Sequence, residues 1–254
     1  MMNLSLMDPA FLGGLGGERD PYFANVSLLL HGNGTNGSTS IIDSSPTPKT
    51  ITVVGNAQIS TAQSKFGGGS IRLNGTNNGI NDRLQIAAGS AFDFETGDFT
   101  VESFFWLDNV TQGAYGCLIE IGNHNSIASA GIGFFLTDAT TNVNRLMMFA
   151  NRSYVGNQNT GYWAGRAMWH WAVYQRKAGV VSSYIDGTEV VYGSGINTSY
   201  ISAGGVTIGG TINGGPTQDP FFLKCYINEL RVTKGIARYS GSTIPVPTGP
   251  FPDA

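Results

Sequence analysis

The residues best suited to catalysis do not stand at catalytic spacings in this chain. The histidines are His31, His124 and His170, and no G-x-S-x-G, H-x-x-x-H or H-E-x-x-H motif accompanies them. A retaining glycosidase needs two carboxyl groups about 5–5.5 Å apart. The sequence has no E-x-D-x-x-E run, which would place such a pair on one strand. We therefore expect no enzymatic activity, and a glycosidase is the least favoured function.

The remaining reactive side chains are better explained as structural groups. Glu102 lies inside the apolar run FTVES, which predicts a carboxylate paired with backbone amides or an arginine. Cys117 and Cys225 have no second cysteine or histidine at metal-ligand spacing. Two buried thiols are the favoured interpretation, and a disulfide between them stays open.

Two segments combine aromatic side chains with amides and carboxylates, which is the chemistry that sugars require. Sugar rings stack on aromatic faces, while amide and carboxylate groups bind their hydroxyls. The segments are Tyr154–Trp163 and Asn213–Phe222. The candidate carbohydrate-binding residues are Tyr154, Asn157, Tyr162, Trp163, Asp219 and Phe222. The alternative is that these aromatic residues only anchor their loops.

One glycine-rich segment imitates a nucleotide-binding motif. Residues 32–37 read GNGTNG, which matches G-x-G-x-x-G, but the following residues cannot form the helix that would meet a pyrophosphate. The sequence therefore predicts a turn here. Oxygen-rich loops of this kind also suit calcium without specifying it, so calcium is kept as an alternative to the absence of any cofactor.

The elements that must position these residues are short strands. Charged residues are only 12% of the 254-residue chain, and glycine occurs 36 times. This composition disfavours helices and favours strands and turns. The runs FTVESFFWL at 99–107 and WHWAVYQ at 169–175 are the clearest strands, and Asp186-Gly187 predicts a two-residue hairpin turn. At least ten such strands predict an all-β, two-sheet antiparallel jelly-roll sandwich.

The strand at 99–107 is apolar on both faces. Phe99, Val101, Phe105 and Leu107 share one side, and Phe104 and Trp106 share the other. Such a strand belongs in the middle of a sheet that is itself covered. Loops, the N-terminal segment or a neighbouring subunit could supply the cover.

The chain divides into an arm, one domain and a tail. Residues 1–21 form a predicted extended arm with two glycine pairs, residues 22–241 form the sandwich, and residues 242–254 form a proline-rich tail. The apolar residues Leu6, Phe11, Leu12 and Leu15 predict that the arm docks on its own domain, on a sister subunit or on a larger assembly. The net charge of −3 and the scattered basic residues disfavour nucleic acid, and no run of about 18 apolar residues predicts a membrane span.

Several motifs in order resemble laminin-G-like domains of the concanavalin A-like lectin and glucanase superfamily. They are SLLLHGNGTNGSTSIIDSSP at 27–46, FGGGSIRLNG at 66–75, FDFETGDFTVESFFW at 92–106, WHWAVYQRKAGVVSSYIDGTEV at 169–190 and INELRVTKGIARYSG at 227–241. The resemblance implies the jelly-roll fold for the whole chain after the arm. It also implies calcium ligation by Asp43, although Asn228 stands where the family usually has an aspartate.

The segments LLLHGNGTNGST and ELRVTKGIARYSG are similar in sequence to the laminin-G-like domains found in tailed-phage and prophage virion proteins. This implies a virion structural subunit, for head decoration or the tail, assembled in the host cytoplasm with other virion proteins. It also implies a homo-oligomer, with a trimer preferred. The alternative is a receptor-binding, lectin-like module of a tail fibre that recognises host surface polysaccharide.

Overall fold

The computed structural model describes residues 19–77, 80–108, 115–126, 130–137, 145–156, 165–212 and 221–254. The arm residues Leu6, Phe11, Leu12 and Leu15 lie outside these ranges. Within them the regular elements are strands, apart from two 3-10 turns at Phe23–Asn25 and Ser90–Phe92. No helix in these ranges is long and apolar enough to cross a membrane.

The described strands are numbered in chain order. They are β1 (Val26–Leu30), β2 (Thr52–Val54), β3 (Gln58–Ser60), β4 (Ser70–Asn74), β5 (Thr76–Asn77), β6 (Ile80–Asn81), β7 (Arg83–Ile86), β8 (Phe99–Leu107), β9 (Tyr115–Ile121), β10 (Ile132–Thr137), β11 (Leu146–Ala150), β12 (Ser153–Tyr154), β13 (Trp169–Lys177), β14 (Val180–Ile185), β15 (Thr188–Gly193), β16 (Val206–Ile208) and β17 (Lys224–Lys234).

Two antiparallel sheets form a sandwich, which confirms the predicted all-β, two-sheet fold. The first sheet has the order β15-β14-β13-β8-β17-β4-β3, with β1 also paired to β17. The second has the order β12-β11-β10-β9-β16-β7-β2, and β5 and β6 form a separate ribbon. Some neighbouring strands, such as β8 and β17 or β9 and β16, come from distant parts of the chain, so each sheet also brings together side chains that are far apart in sequence.

The main core lies between the two sheets. From β8 it receives Phe99, Val101, Phe105 and Leu107, all of which are buried, as the alternating pattern predicted. Phe134 of β10 in the second sheet meets Phe99 edge-on, with 5.9 Å between ring centroids. Apolar contact across the gap therefore joins the sheets over the length of β8.

The outer face of the first sheet is covered by the C-terminal part of the chain. Phe104 and Trp171 project from this face and pack with Tyr239, Ile244 and Phe251 in a second buried cluster. The tail at 242–254 is held there by backbone bonds as well, because the amide of residue 244 donates to the carbonyl of residue 187 at 2.8 Å. The tail thus supplies part of the cover that the two-sided strand β8 requires.

The two cysteines are both buried and are not joined by a disulfide, which confirms their interpretation as thiols. Cys225 belongs to the core between the sheets. Cys117 lies instead in a small cluster with Phe135 and Met147. Each fills space as a small apolar side chain.

A buried network of charges lies under the tail. Arg231 donates to Glu102 Oε1 from Nε and Nη2 at 2.9 and 2.8 Å, and to Asp20 Oδ2 from Nη1 at 3.1 Å. Arg238 donates to both oxygens of Asp20 at 3.0 and 2.7 Å. The hydroxyl of Tyr239 donates to Glu102 Oε2 at 2.7 Å. The prediction that Glu102 is a structural carboxylate with an arginine partner is confirmed.

This network is balanced, with two carboxylates facing two guanidinium groups. Burial by itself would raise the pKa of Asp20, but the hydrogen bond and the charge of Arg238 outweigh it and lower that pKa. Removing one partner from a buried ion pair leaves an uncompensated charge, which costs about 3–5 kcal/mol.

A second pairing joins the end of β1 to β17 and to the tail. Glu229 is buried at an irregularity of β17 and has a positive φ of 55°. Its Oε2 accepts hydrogen bonds from His31 Nδ1 at 2.7 Å and from the amide of Phe251 at 3.0 Å. Burial would lower the pKa of His31, but Glu229 outweighs this and raises it.

We expect Glu102→Gln to lower the free energy of unfolding by about 3–5 kcal/mol, because two arginines then face a single carboxylate. The glutamine can still accept from Arg231 and donate to Tyr239, so the loss reports on the charge. The matched control is Glu95→Gln, since Glu95 is exposed. Urea unfolding of both variants checks this, and equal stabilities would contradict it.

The His31–Glu229 pair makes stability depend on pH in a defined direction. Because the folded pKa of His31 is raised, its contribution is complete below the unfolded value of about 6.5 and is lost as pH rises through the folded pKa. The difference in free energy of unfolding between the parent protein and His31→Gln should therefore shrink from pH 5.5 to pH 9. A difference that stays constant or grows over this range would refute the pairing.

Candidate functional site

The outer face of the second sheet carries a patch of large apolar side chains. The patch is built by Phe135 of β10, Met147 and Phe149 of β11, and Phe221, which precedes β17. On the same strands Phe134, Leu146 and Met148 turn inward to the main core. Strand alternation therefore gives β10 and β11 apolar residues on both faces.

A cleft of about 210 Å³ opens on this patch. Its described lining consists of His124, Phe135, Met147, Phe149, Tyr154 and Phe221. Tyr154 at the edge strand β12 is 53% exposed, while the rings of Phe149 and Tyr154 meet edge-on at 5.3 Å. The cleft is therefore apolar in its depth, with an aromatic hydroxyl at its rim.

A glycine makes room in the cleft. Gly133 on β10 pairs with Glu120 on one side and with Phe149 on the other. A Cβ atom at this position would overlap the ring of Phe135 and lie 3.4 Å from Cβ of His124. The Phe135 ring therefore occupies the space that a side chain at residue 133 would fill.

His124 is held in place by a buried glutamate. Glu120 Oε1 accepts hydrogen bonds from the backbone amide of His124 at 2.9 Å and from its ring Nδ1. The other oxygen, Oε2, accepts from the backbone amide of Ile212. Glu120 is fully buried and His124 is only 4% exposed, so the pair is a fixed part of the cleft wall.

Three of the aromatic side chains pack edge-on against the imidazole. The ring centroids of Phe135, Phe149 and Phe221 lie 5.0, 5.5 and 5.9 Å from that of His124. This packing and the bond to Glu120 together leave the imidazole one orientation.

The structure brings the two predicted sugar-binding segments to the same cleft through their described ends. Tyr154 opens one segment and lines the cleft, and Phe221 lies near the end of the other and also lines it. Phe222 is not among the described lining residues, because its ring lies against Gly75, 3.0 Å from where a Cβ would be. Asn157, Tyr162, Trp163 and Asp219 lie outside the described residues, so their assignment stays a prediction.

Four of the described lining residues had no place in the sequence-based assignment: His124, Phe135, Met147 and Phe149. The available signal was the run LMMFA at 146–150, which is apolar at every position. A strand of this kind implies that its outer face is covered or functional. His124 carries no such signal, because only the fold places it beside Glu120 and the aromatic rings.

Asp43 is held by four hydrogen bonds in the structure, and its suggested calcium ligation stays a prediction. Its Oδ1 accepts from the amides of Leu29 and Ser45 at 3.0 and 2.9 Å, and its Oδ2 accepts from the Ser45 hydroxyl and the Lys49 amide at 2.9 and 2.7 Å. These four donors occupy both oxygens of a buried carboxylate. Within the described ranges, no three His, Cys, Asp or Glu side chains are grouped to hold a metal.

Asn228 shows why its position departs from the family pattern. Its side-chain oxygen accepts from the amides of Lys65 and Phe66 at 3.1 and 2.8 Å. Its Nδ2 donates to the carbonyls of His31 and Gly69. An aspartate could not donate those two bonds, so asparagine here ties three chain segments together.

Comparisons with known proteins support the fold. No family model matches the sequence, and no curated protein matches it. Among solved structures, the binding domain of botulinum neurotoxin DC in complex with SialylT has a TM-score of 0.59 at 11% identity, covering 85% of this chain and 50% of that chain. The binding domain of Paraclostridial Mosquitocidal Protein 1 has a TM-score of 0.57 at 14% identity, covering 85% and 51%.

A third structure matches along most of its own length. It is domain 4 of AbnA, a GH43 extracellular arabinanase from Geobacillus stearothermophilus, solved with arabinotriose, with a TM-score of 0.57 at 16% identity over 84% of this chain and 95% of that chain. The present chain spans about half the length of the toxin binding domains. At these identities the similarity shows a common jelly-roll sandwich fold, in agreement with the concanavalin A-like resemblance.

Proposed function

We propose that this protein is a non-catalytic, lectin-like module that binds carbohydrate in the aromatic cleft of the second sheet. The observation that carries the proposal is the cleft itself, with its exposed Tyr154 beside the rings of Phe149 and Phe221. Aromatic rings offer flat apolar faces for the C–H side of a sugar, and a few polar groups fix its orientation. His124 and the Tyr154 hydroxyl supply polar atoms among the described lining residues.

Two further observations support this function. The segments whose composition predicted sugar binding both contribute a residue to the cleft, namely Tyr154 and Phe221. The AbnA domain, which matches over 95% of its own chain, was solved with an oligosaccharide. The toxin binding domains match only over half their length, so the ligand bound by such a domain is not assigned to the matched half.

The described part of the cleft favours binding over hydrolysis. None of its described lining residues carries a carboxylate. The nearby Glu120 is buried and already accepts three hydrogen bonds from N–H groups. A glycosidase of the retaining type needs two carboxyl groups about 5–5.5 Å apart, and the described residues offer no such pair here.

Tyr154→Ala should weaken carbohydrate binding by about tenfold or more, which corresponds to about 1.4 kcal/mol. The reason is that the substitution removes the exposed ring at the rim of the cleft. An array of neutral oligosaccharides and bacterial surface polysaccharides identifies a bound saccharide, and isothermal titration with that saccharide measures the effect. Ile42→Ala is the control, because Ile42 is 63% exposed and does not line the cleft. Equal losses in both variants, or none in either, would contradict the assignment.

We further propose that the module is displayed on a phage virion and anchored by the arm at 1–21. The sequence resemblance to virion proteins supports this location. The geometry of the domain suits it, because Asp20 lies in the charged network on the outer face of the first sheet, while the cleft opens on the outer face of the second. The described residues of the domain therefore begin on the side opposite the proposed sugar site.

Removing residues 1–18 tests the arm while leaving Asp20 in the buried network. We expect the full chain to form a homo-oligomer, with a trimer preferred, and the shortened chain to be monomeric with unchanged stability and sugar affinity. Light scattering coupled to size-exclusion chromatography measures the mass of each form. If both forms contain the same number of subunits and bind virions equally well, the arm does not take part in assembly.

A further inference from the structure

The tautomer of His124 follows from its surroundings. Glu120 Oε1 receives the ring Nδ1, and a carboxylate can only accept hydrogen bonds. Both oxygens of Glu120 are also bound by backbone N–H groups, those of His124 and Ile212. The hydrogen between the two side chains therefore belongs to Nδ1.

A neutral imidazole with its hydrogen on Nδ1 presents a lone pair at Nε2. Within the described ranges, no group forms a hydrogen bond with Nε2 of His124. This nitrogen lies on the side of the ring away from Glu120, and the ring borders the cleft. The pair thus places a fixed hydrogen-bond acceptor in an otherwise largely apolar wall. Glu120 fixes the orientation of the histidine through Nδ1, as carboxylates do for the histidines of metal sites.

The acceptor selects the chemistry of what it can bind. Sugar hydroxyl groups donate hydrogen bonds, whereas ionised carboxylate, sulfate and phosphate groups only accept them. A polar atom buried beside apolar rings and left without a partner is costly, so a ligand that satisfies it is favoured over one that does not. The three rings packed around His124 hold the imidazole in place, so the direction from which a donor can approach Nε2 is fixed.

We propose that His124 is the polar anchor of the cleft and that the bound sugar is neutral, because the described lining residues include no lysine or arginine that could pair with an acidic group. Nε2 accepts a hydrogen bond from one hydroxyl group of the sugar ring, whose apolar face lies on the aromatic wall formed by Phe149 and Tyr154. Glu120 is a positioning residue that acts through His124. This inference rests on the proposed carbohydrate-binding function and adds the ligand class and the residue that recognises it.

The first experiment combines the variant His124→Phe with sugar analogues that each lack a single hydroxyl group. Methyl glycosides of glucose, galactose, mannose and arabinose, and analogues that each lack one hydroxyl, are titrated by NMR into the full chain and into His124→Phe. The full chain should lose about tenfold in affinity for one analogue, while His124→Phe, which keeps an aromatic ring, should bind parent and analogue within about twofold. Equal sensitivity of both proteins to every deletion would overturn the anchor.

The second experiment needs no variant. Long-range ¹⁵N–¹H correlation spectra of the full chain report which imidazole nitrogen carries hydrogen, at a pH where the spectrum shows a neutral ring. We expect hydrogen on Nδ1 of His124 and a bare Nε2 whose signal moves on adding the best-binding methyl glycoside. Hydrogen on Nε2, or a signal that does not respond to the glycoside, would overturn the proposal even if His124→Phe fails to fold.

The outcomes separate this inference from the function beneath it. If Tyr154→Ala weakens glycoside binding and His124→Phe does not, the cleft binds sugar but His124 is not its anchor. Preferential binding of N-acetylneuraminic acid over all neutral glycosides also contradicts the inference, because the described lining offers no lysine or arginine to pair with its carboxylate. If neither neutral nor acidic sugars shift any signal of the cleft residues, the carbohydrate-binding function itself is wrong, and this inference with it.

Discussion

The structure depends on a balanced group of charges buried against the first sheet. Asp20, Glu102, Arg231 and Arg238 come from the start of the domain, from central strand β8, from β17 and from the segment that follows it. Desolvating such groups is expensive, and their mutual attraction offsets the cost only if the geometry is good and the remaining donors are satisfied. The network therefore demands that both ends of the domain meet at one place. The amide of Asp20 does bond to the carbonyl of Ala254 at 2.9 Å.

The tail covers the outer face of the first sheet, whereas the outer face of the second sheet is not covered by it. Phe251 is carried onto the first sheet by the tail, and the guanidinium of Arg231 lies 3.9 Å from the centroid of its ring. The charged network thus has an apolar lid supplied by the chain itself. On the second sheet the described strands place Phe149 and Tyr154 at the edge of an open cleft instead. The two outer faces therefore differ, since one is covered and stabilises the sandwich and the other carries an open cleft bordered by aromatic side chains.

The strands could be predicted from local patterns, but their partners could not. The alternation in β8 assigned Phe99 to the main core and Phe104 to the outer face, because side-chain direction follows directly from a period of two. The Asp186-Gly187 turn was also readable, and both residues have positive φ, at 48° and 85°. Nothing in the local pattern of β8 reveals that residue 251 covers it, since that contact depends on how the whole chain returns across the sheet.

The candidate cleft could not be predicted from the sequence, because it also depends on how the whole chain folds. The three histidines illustrate this. All three bind a carboxylate through Nδ1: His31 to Glu229, His124 to Glu120 and His170 to Asp186. The pairing is therefore not what distinguishes His124 from the other two histidines. His170 also uses its second nitrogen, because Nε2 lies 3.3 Å from the carbonyl of Gly165.

His124, by contrast, lines the aromatic cleft. Its neighbours there come from β10, β11 and β12, which follow it closely in the chain, and from the segment before β17, which lies much further along. The surroundings of residue 124 thus depend on how these strands pair and on the return of residue 221 to the same face, and a motif search along the sequence shows neither.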